Sequence, residues 1–171
     1  MKTDLTENTK QVAALIHLST FSKYIFPFGN FLAPLLLWTV NKERPFVNEH
    51  GRQAINFQLS IFLYTLLIGI ACLPFFAVFA TDFVDLVEII DNHVHRVSIN
   101  NIRNFSGFMI LFLLVALLLL GLFVFELYAV INASIKAHRG EYYKYPITIS
   151  FIKPASQGQE STNQSKNEHS S

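Results

Sequence analysis

Residues 104–125 read Asn-Phe-Ser-Gly-Phe-Met-Ile-Leu-Phe-Leu-Leu-Val-Ala-Leu-Leu-Leu-Leu-Gly-Leu-Phe-Val-Phe, which is 22 residues without a charged side chain. A helix of ~20 apolar residues crosses the ~30 Å hydrocarbon core of a bilayer. Two further stretches, 53–81 and 24–41, are charge-free over 29 and 18 residues. Only 15% of the chain is charged, whereas a soluble domain has roughly a quarter. The sequence therefore predicts a helical integral membrane protein.

Several classes of function receive no support from the sequence. The 171 residues suffice for one domain, and the net charge of +1 gives no sign of a nucleic-acid partner. The single cysteine, Cys72, rules out an internal disulfide. There is no phosphate-binding loop, nucleophile elbow or zinc-protease motif. We therefore predict no enzymatic activity and no cofactor.

The first apolar region is interrupted. Residues 1–9 are expected to be flexible, and a helical domain then extends over 10–153. Its first segment, about 12–40, is broken around Pro27 and Gly29, since proline cannot donate to the preceding turn and glycine allows unusual backbone angles. Two arrangements remain open: one kinked spanning helix, or a re-entrant hairpin that gives four helical pieces. In either case the break should be covered by protein or water.

Two longer segments follow, at about 53–79 and 105–135. Asn48 is predicted to cap the first of them, which should kink or end near Pro74. Gly140 is typical of a residue just beyond a helix C-terminus. The acid-rich connection 81–104 is predicted to hold a short amphipathic helix, and 154–171 to be disordered. The predicted fold class is an all-α polytopic membrane protein with three spanning segments, the first one broken.

Lysine and arginine content predicts the sidedness of the loops. Loop 41–53 contains Lys42, Arg44 and Arg52, and the C-terminal flank contains further lysines and an arginine. Segment 81–104 has only two arginines in a longer, acidic stretch. Loop 41–53 and the C-terminus should therefore be cytoplasmic and 81–104 extracytoplasmic. The side of the N-terminus depends on the first region, and the outside is favoured.

Polar residues within the apolar segments are the candidate functional positions, because such groups are costly in hydrocarbon. Glu126 shares a helix face with Ala129, Ala133 and Ala137, whose small side chains allow a neighbouring helix to approach. It should therefore point into the bundle. The predicted intramembrane polar cluster comprises Gln53, Asn56, Ser60, Glu126 and Asn132, together with Ser134 and, if the N-terminus is cytoplasmic, His17 and Ser19.

Three interpretations of this cluster remain open. Its members could form interhelical hydrogen bonds, line a polar path or ligand pocket, or support a proton-linked role for Glu126. Elsewhere, His93 and His95 could bind a metal, but no third ligand has a suitable spacing, so no metal site is predicted. The tyrosines at 142, 143 and 145 around Lys144 are predicted to anchor the chain at the lipid headgroups.

The sequence contains the motifs Pro27-Phe28-Gly29-Asn30, Asn56-Phe57-Gln58 and Lys136-Ala137-His138-Arg139-Gly140-Glu141. These motifs resemble those of the Tic-twenty-like bacterial membrane proteins, a family largely assigned to a domain of unknown function. The resemblance covers roughly 12–64 and 120–153. The motif positions are His17, Pro34, His50, Asn56, Phe57, Gln58, Lys136, Gly140, Glu141, Tyr145 and Pro146.

The chloroplast relatives of that family are components of the inner-envelope protein import machinery. The resemblance therefore implies a non-enzymatic scaffold or translocation-related subunit in the bacterial cytoplasmic membrane. Its partners would be the lipid bilayer and a second copy or other membrane proteins. One alternative is a small-solute or ion channel or transporter that uses the face of Glu126 and Asn56. A membrane enzyme is the other alternative, although no catalytic constellation is present.

Overall fold

The computed structural model describes residues 6–91 and 99–154, and these residues form helices, turns and extended segments but no β-strand. The elements are α1 (Glu7–Leu18), a 3₁₀ helix (Ser19–Tyr24), α2 (Gly29–Asn41), α3 (Pro45–Asp91) and α4 (Ile99–His138). The all-helical fold class is thus confirmed. His93, His95, residues 1–5 and the predicted disordered tail from residue 155 lie outside the described residues.

Two of these helices are long and apolar enough to cross a membrane. The suitable parts are Pro45–Ala80 of α3, with 36 residues, and Ser106–His138 of α4, with 33. Both have many large apolar side chains on their outer surface, among them Leu67, Phe112 and Leu117. A soluble protein rarely leaves so large an apolar surface exposed, and a bilayer covers it. The helices α1 and α2, with 12 and 13 residues, are each ~20 Å or less in length.

The chain divides into two compact units. The first comprises Met1–Ser60 with Leu127–Ser171, and the second comprises Ile61–Glu126. The second unit contains the later part of α3 and the earlier part of α4, where the rings of Phe79 and Phe108 meet edge to face with centroids 5.2 Å apart. The first unit holds most of the buried polar side chains.

The first unit begins with a capped helix. Thr6 accepts a hydrogen bond from the Thr9 amide at 3.3 Å, so α1 begins at Glu7, within the stretch predicted to be flexible. At its other end the hydroxyls of Ser19, Thr20 and Ser22 each donate to the carbonyl three residues earlier. Such bonds compete with the α-helical pattern, and the chain tightens here into a 3₁₀ helix.

The predicted break is present, but its geometry differs from the expectation. Phe28, not Gly29, has the left-handed backbone, with φ of 61°. Gly29 is needed for a different reason: a Cβ atom there would lie 2.6 Å from the backbone carbonyl of Ser22. The break is therefore a point of close backbone contact between the 3₁₀ helix and α2.

The two short helices form an antiparallel pair. Val12 in the middle of α1 and Leu37 and Trp38 near the end of α2 pack against one cluster that contains Ile16, Val47 and Ala54. At the other end, Gly29 lies against Ser22. Both outer ends of this N-terminal hairpin, near residues 7 and 41, therefore lie on the same side of it.

The start of α3 also differs from the prediction. The helix begins at Pro45, whose missing N–H and fixed φ suit the first helical position, so Asn48 lies inside the helix and is not its cap. The helix continues through Pro74 to Asp91, so an early end there and a separate short helix after Thr81 were wrong. Trp38 lies so close to α3 that any Cβ atom at Gly51 would overlap its ring.

Helix α4 presents its small residues to the interior. Ala129, Ala133 and Ala137 are fully buried, as the predicted alanine face requires. The helix ends at His138, and Gly140 follows with φ of 79°. The Glu141 amide bonds to the carbonyl of Lys136 at 2.9 Å, which closes the helix end with the predicted glycine.

Candidate functional site: a buried polar junction

Residues 141–154, which we call the C-terminal strap, lie along the first turns of α3 and are held there by two side chains. The Asn56 amide donates to the Ile152 carbonyl at 3.0 Å and accepts from the Ile152 amide at 2.8 Å. Ser60 accepts from the Ile149 amide at 2.9 Å and donates to the Asn56 carbonyl at 2.7 Å. These bonds satisfy backbone groups of a segment that has no regular structure to satisfy them.

Nearer the start of α3, three ring side chains form a buried hydrogen-bonded row. His17 Nε2 lies 2.8 Å from His50 Nδ1, and the Tyr145 hydroxyl lies 2.9 Å from His17 Nδ1. All three residues are almost completely buried. The row therefore joins α1, α3 and the strap, and together with Asn56 and Ser60 it forms what we call the polar junction.

Hydrogen-bond chemistry limits the protonation of this row. Only one hydrogen fits between the facing nitrogens of His17 and His50, so both rings cannot be imidazolium at once. When Tyr145 donates to His17, His17 donates to His50, and His50 Nε2 carries the last N–H. That nitrogen is buried near the Glu141 backbone but forms no hydrogen bond of good geometry with any of the described residues.

Aromatic rings surround the row. Phe57 stacks on Tyr145 with centroids 4.1 Å apart and planes 9° apart. Phe46 lies 4.5 Å from the His50 ring, and Tyr142 is parallel to His50 at 6.0 Å. Rings in such geometries add to the stability that their burial gives. Because Tyr145 is only 2% exposed, the prediction that it anchors the chain at the lipid headgroups was wrong.

Helix α2 is joined to α3 by two polar contacts. Asn30, in the first turn of α2, donates to the buried Gln58 at 2.9 Å. Trp38, in the last turn, donates to Asn48 at 2.8 Å. The two ends of α2 are thus fixed to α3, which orders the N-terminal hairpin against that helix.

The remaining candidate residues make separate contacts. Gln53 donates to Glu49 within α3, Ser134 donates to the Ala14 carbonyl at 3.2 Å, and Asn132 bonds to Tyr143. Glu126 is buried, at 3% exposed, and belongs to the second unit. The first unit thus brings Asn56 and Ser60 to the strap rather than to a shared polar path.

Tyr143 illustrates the electrostatics of the strap. Partial burial raises the pKa of its hydroxyl, while the hydrogen bond to Asn132 acts in the opposite direction. Nearby, the Lys136 ammonium lies 3.6 Å from the Glu141 carboxylate. Among the described residues, no group of three His, Cys, Asp or Glu side chains has a geometry that could hold a metal ion.

The His17–His50–Tyr145 row is the main feature that reasoning from residue chemistry missed. His17 was predicted to join the polar cluster only if the N-terminus is cytoplasmic, Tyr145 was predicted to be a headgroup anchor, and His50 was named only as a position of the family resemblance. A signal was present on α3, where His50 precedes Gln53, Phe57 and Ser60 at helical spacing. Extending the predicted polar face by one turn would have included His50. No sequence feature near His50 or Tyr145 indicates that the two residues lie in the same buried row.

The motifs that suggested the family resemblance have a structural explanation. His17, Asn30, His50, Asn56, Gln58 and Tyr145 each take part in a contact between elements of the first unit. The residues of such motifs join the helices and the strap to one another. They do not by themselves identify a family.

Comparison with known proteins corrects the resemblance. Neither the curated proteins nor the solved structures contain a significant match. The model of the magnetosome magnetite crystal formation protein family (MamF/MmsF) matches residues 8–152. The assignment to the Tic-twenty-like family was wrong, since the matching family is a different one. The match covers nearly all of the described residues, and the chain belongs to the MamF/MmsF magnetosome magnetite crystal formation protein family.

Proposed function

We propose that this chain is an integral protein of the magnetosome membrane and supports magnetite crystal formation as a non-enzymatic scaffold. The observation that carries the proposal is the family match over residues 8–152, which includes both apolar helices and the polar junction. The translocation role was inferred from the family that the comparison excludes, and it is not retained.

The fold favours a scaffold over a channel. Asn56 and Ser60, which a channel would need on an open path, are occupied by the backbone of Ile149 and Ile152. The polar groups of the first unit thus serve to hold the hairpin, α3, α4 and the strap together. A scaffold requires such a fixed surface, and a transport path requires polar groups that a passing solute can reach.

The topology that we propose has two spanning helices and a re-entrant hairpin. The antiparallel α1 and α2 return the chain to the side on which it entered, and α3 and α4 together bring the C-terminus back to that side. The first unit groups Lys42, Arg44 and Arg52 with the basic C-terminal flank. By the positive-inside rule this side is cytoplasmic, and so is the N-terminus.

On this topology the connection after residue 81 lies on the other face of the membrane. Its sequence contains Asp82, Asp85, Glu88 and Asp91. Magnetite is an iron oxide, and hard cations bind oxygen ligands such as carboxylates. We therefore place the acid-rich connection on the side where the crystal grows.

Complementation tests the proposed function. The full chain is expressed in a magnetite-forming bacterium that lacks its own member of this family, and crystal size and number are measured by electron microscopy. The chain is expected to restore crystals toward their normal size. The variant Asn56→Leu, in which the strap is no longer held, should restore crystal size less than the wild type does. If the wild-type chain is abundant in the magnetosome membrane and the crystals do not change, the proposal is wrong.

A further inference from the structure

A cavity of about 780 Å³ lies between the first turns of α3 and the C-terminal strap. Its walls include Glu49, Arg52, Tyr142, Lys144 and Lys153. This size is within the range of roughly 300–1,000 Å³ that small-molecule sites occupy. All of its lining residues belong to the first unit.

The charges of this cavity are not balanced. Arg52 donates to the Glu49 carboxylate at 2.6 Å and to the Ile152 carbonyl at 3.2 Å, so these two charges neutralise each other. Lys144 and Lys153 are exposed and make no hydrogen bond or ion pair with any residue in 6–91 or 99–154. Two ammonium groups at one cavity are thus left without an ion-pair partner among the described residues.

The strap around the cavity is also apolar on its outside. Tyr142 and Ile147 are 63% and 61% exposed, and Phe151 is about half exposed. Lys144 and Lys153 stand near the two ends of this apolar stretch. Apolar side chains between lysines are typical of segments at a membrane surface, where the rings and aliphatic groups enter the interface and the cations meet anionic lipid.

We propose that this cavity binds the phosphate-bearing headgroup of an anionic phospholipid, with Lys144 and Lys153 as the residues that bind the phosphate. The lipid chains lie against Ile147 and Phe151. Arg52 stays with Glu49 and shapes the floor of the cavity. This site is independent of the proposed role in crystal formation, since it requires only that the strap lie at the bilayer surface.

Native mass spectrometry of the full chain in detergent tests the site. Phosphatidylglycerol is expected to bind, and phosphatidylcholine, whose headgroup has no net charge, is expected to bind at least tenfold more weakly. The double variant Lys144→Gln/Lys153→Gln should lose phosphatidylglycerol affinity by about tenfold or more. A matched control, Lys42→Gln/Arg139→Gln, removes the same charge from exposed positions outside the cavity and should bind like the wild type.

A soluble competitor distinguishes a lipid site from a phosphate site. Glycerol 3-phosphate presents a phosphate monoester, whose negative charge is at least that of the lipid phosphodiester, without acyl chains, and it is expected not to compete at concentrations at which phosphatidylglycerol saturates. Equal loss of binding in both double variants would overturn the proposal, because attraction would then depend on overall charge. So would binding of glycerol 3-phosphate as tight as that of the lipid. The melting temperature of each variant, expected to match the wild type, verifies that the fold is retained.

Discussion

His17 Nε2 and His50 Nδ1 lie 2.8 Å apart and share one hydrogen, although 33 positions separate the two residues in the chain. This bond joins the N-terminal hairpin to α3 at the point where the strap delivers Tyr145. Because the row is buried, His17 depends on His50 and Tyr145 for the partners of its two ring nitrogens.

Tyr145→Phe should destabilise the fold. The substitution keeps the ring on Phe57 but removes the hydroxyl and leaves His17 Nδ1 buried without a partner, which costs about 1–3 kcal/mol. The measurement is the free energy of unfolding in detergent. Tyr142→Phe is the control, since that ring is largely exposed and its change should have little effect. Equal effects of the two variants would show that the buried row adds no stability.

Asn56→Leu should release the strap from α3. The Ile152 amide and carbonyl lose their partner, so hydrogen exchange at the Ile149 and Ile152 amides is expected to become at least tenfold faster. Gln53→Ala serves as the control, because Gln53 donates to Glu49 on the same helix and not to the described part of the strap. Unchanged protection in Asn56→Leu would mean that other contacts hold the strap.

Gly51→Ala should separate α2 from α3. A Cβ atom at this position would overlap the Trp38 ring, and overpacking of this kind costs about 1–3 kcal/mol. Gly121→Ala is the matched control, since nothing lies within 4 Å of a Cβ there, and alanine is the better helix former. Thermal unfolding in detergent is expected to show a lower midpoint only for Gly51→Ala.

Cysteine labelling in intact cells tests the topology. In a Cys72→Ser background, cysteines replacing Glu7, Lys42 or Lys153 should all react only after the membrane is permeabilised. A cysteine replacing His95 should react from outside or from the magnetosome lumen. Labelling of positions 7 and 42 from opposite sides would show that the first region spans the membrane, and the re-entrant hairpin would then be wrong.

Alkaline pH should weaken the strap through Tyr143. Burial raises the pKa of this phenol above its usual value near 10, so the folded state favours the neutral form. Its contribution is complete below about pH 10 and is lost as the pH rises through the higher folded-state pKa. The melting temperature of Tyr143→Phe should therefore fall less steeply above pH 10 than that of the wild type. Tyr142→Phe should retain the wild-type slope.

The long apolar runs and the close helix contacts were predictable because they depend on local composition. Residues 104–125 predicted an apolar helix, and the spacing of Ala129, Ala133 and Ala137 predicted a buried face. Gly140 marked the end of α4 because a left-handed residue often closes a helix. Each of these features is determined within a few turns of chain.

The contacts of the polar junction could not be predicted in the same way. Asn56 was identified as a buried polar group, but its partner is the backbone of Ile152, and backbone groups have no signature in sequence. The left-handed residue at the break is Phe28, although the adjacent Gly29 has the greater intrinsic freedom. Glycine is needed at position 29 because the backbone there lies close to Ser22, and this is a tertiary contact.

The order of synthesis has a consequence for the strap. The backbone groups that satisfy Asn56 and Ser60 come 96 and 89 positions later in the chain. At about 5–20 residues per second, the ribosome needs roughly 5–20 s to reach them after it has added Asn56 and Ser60. Nascent α3 thus passes through a stage in which the strap backbone that bonds to these two side chains has not yet been synthesised. A chain arrested within α4 would remain at that stage permanently.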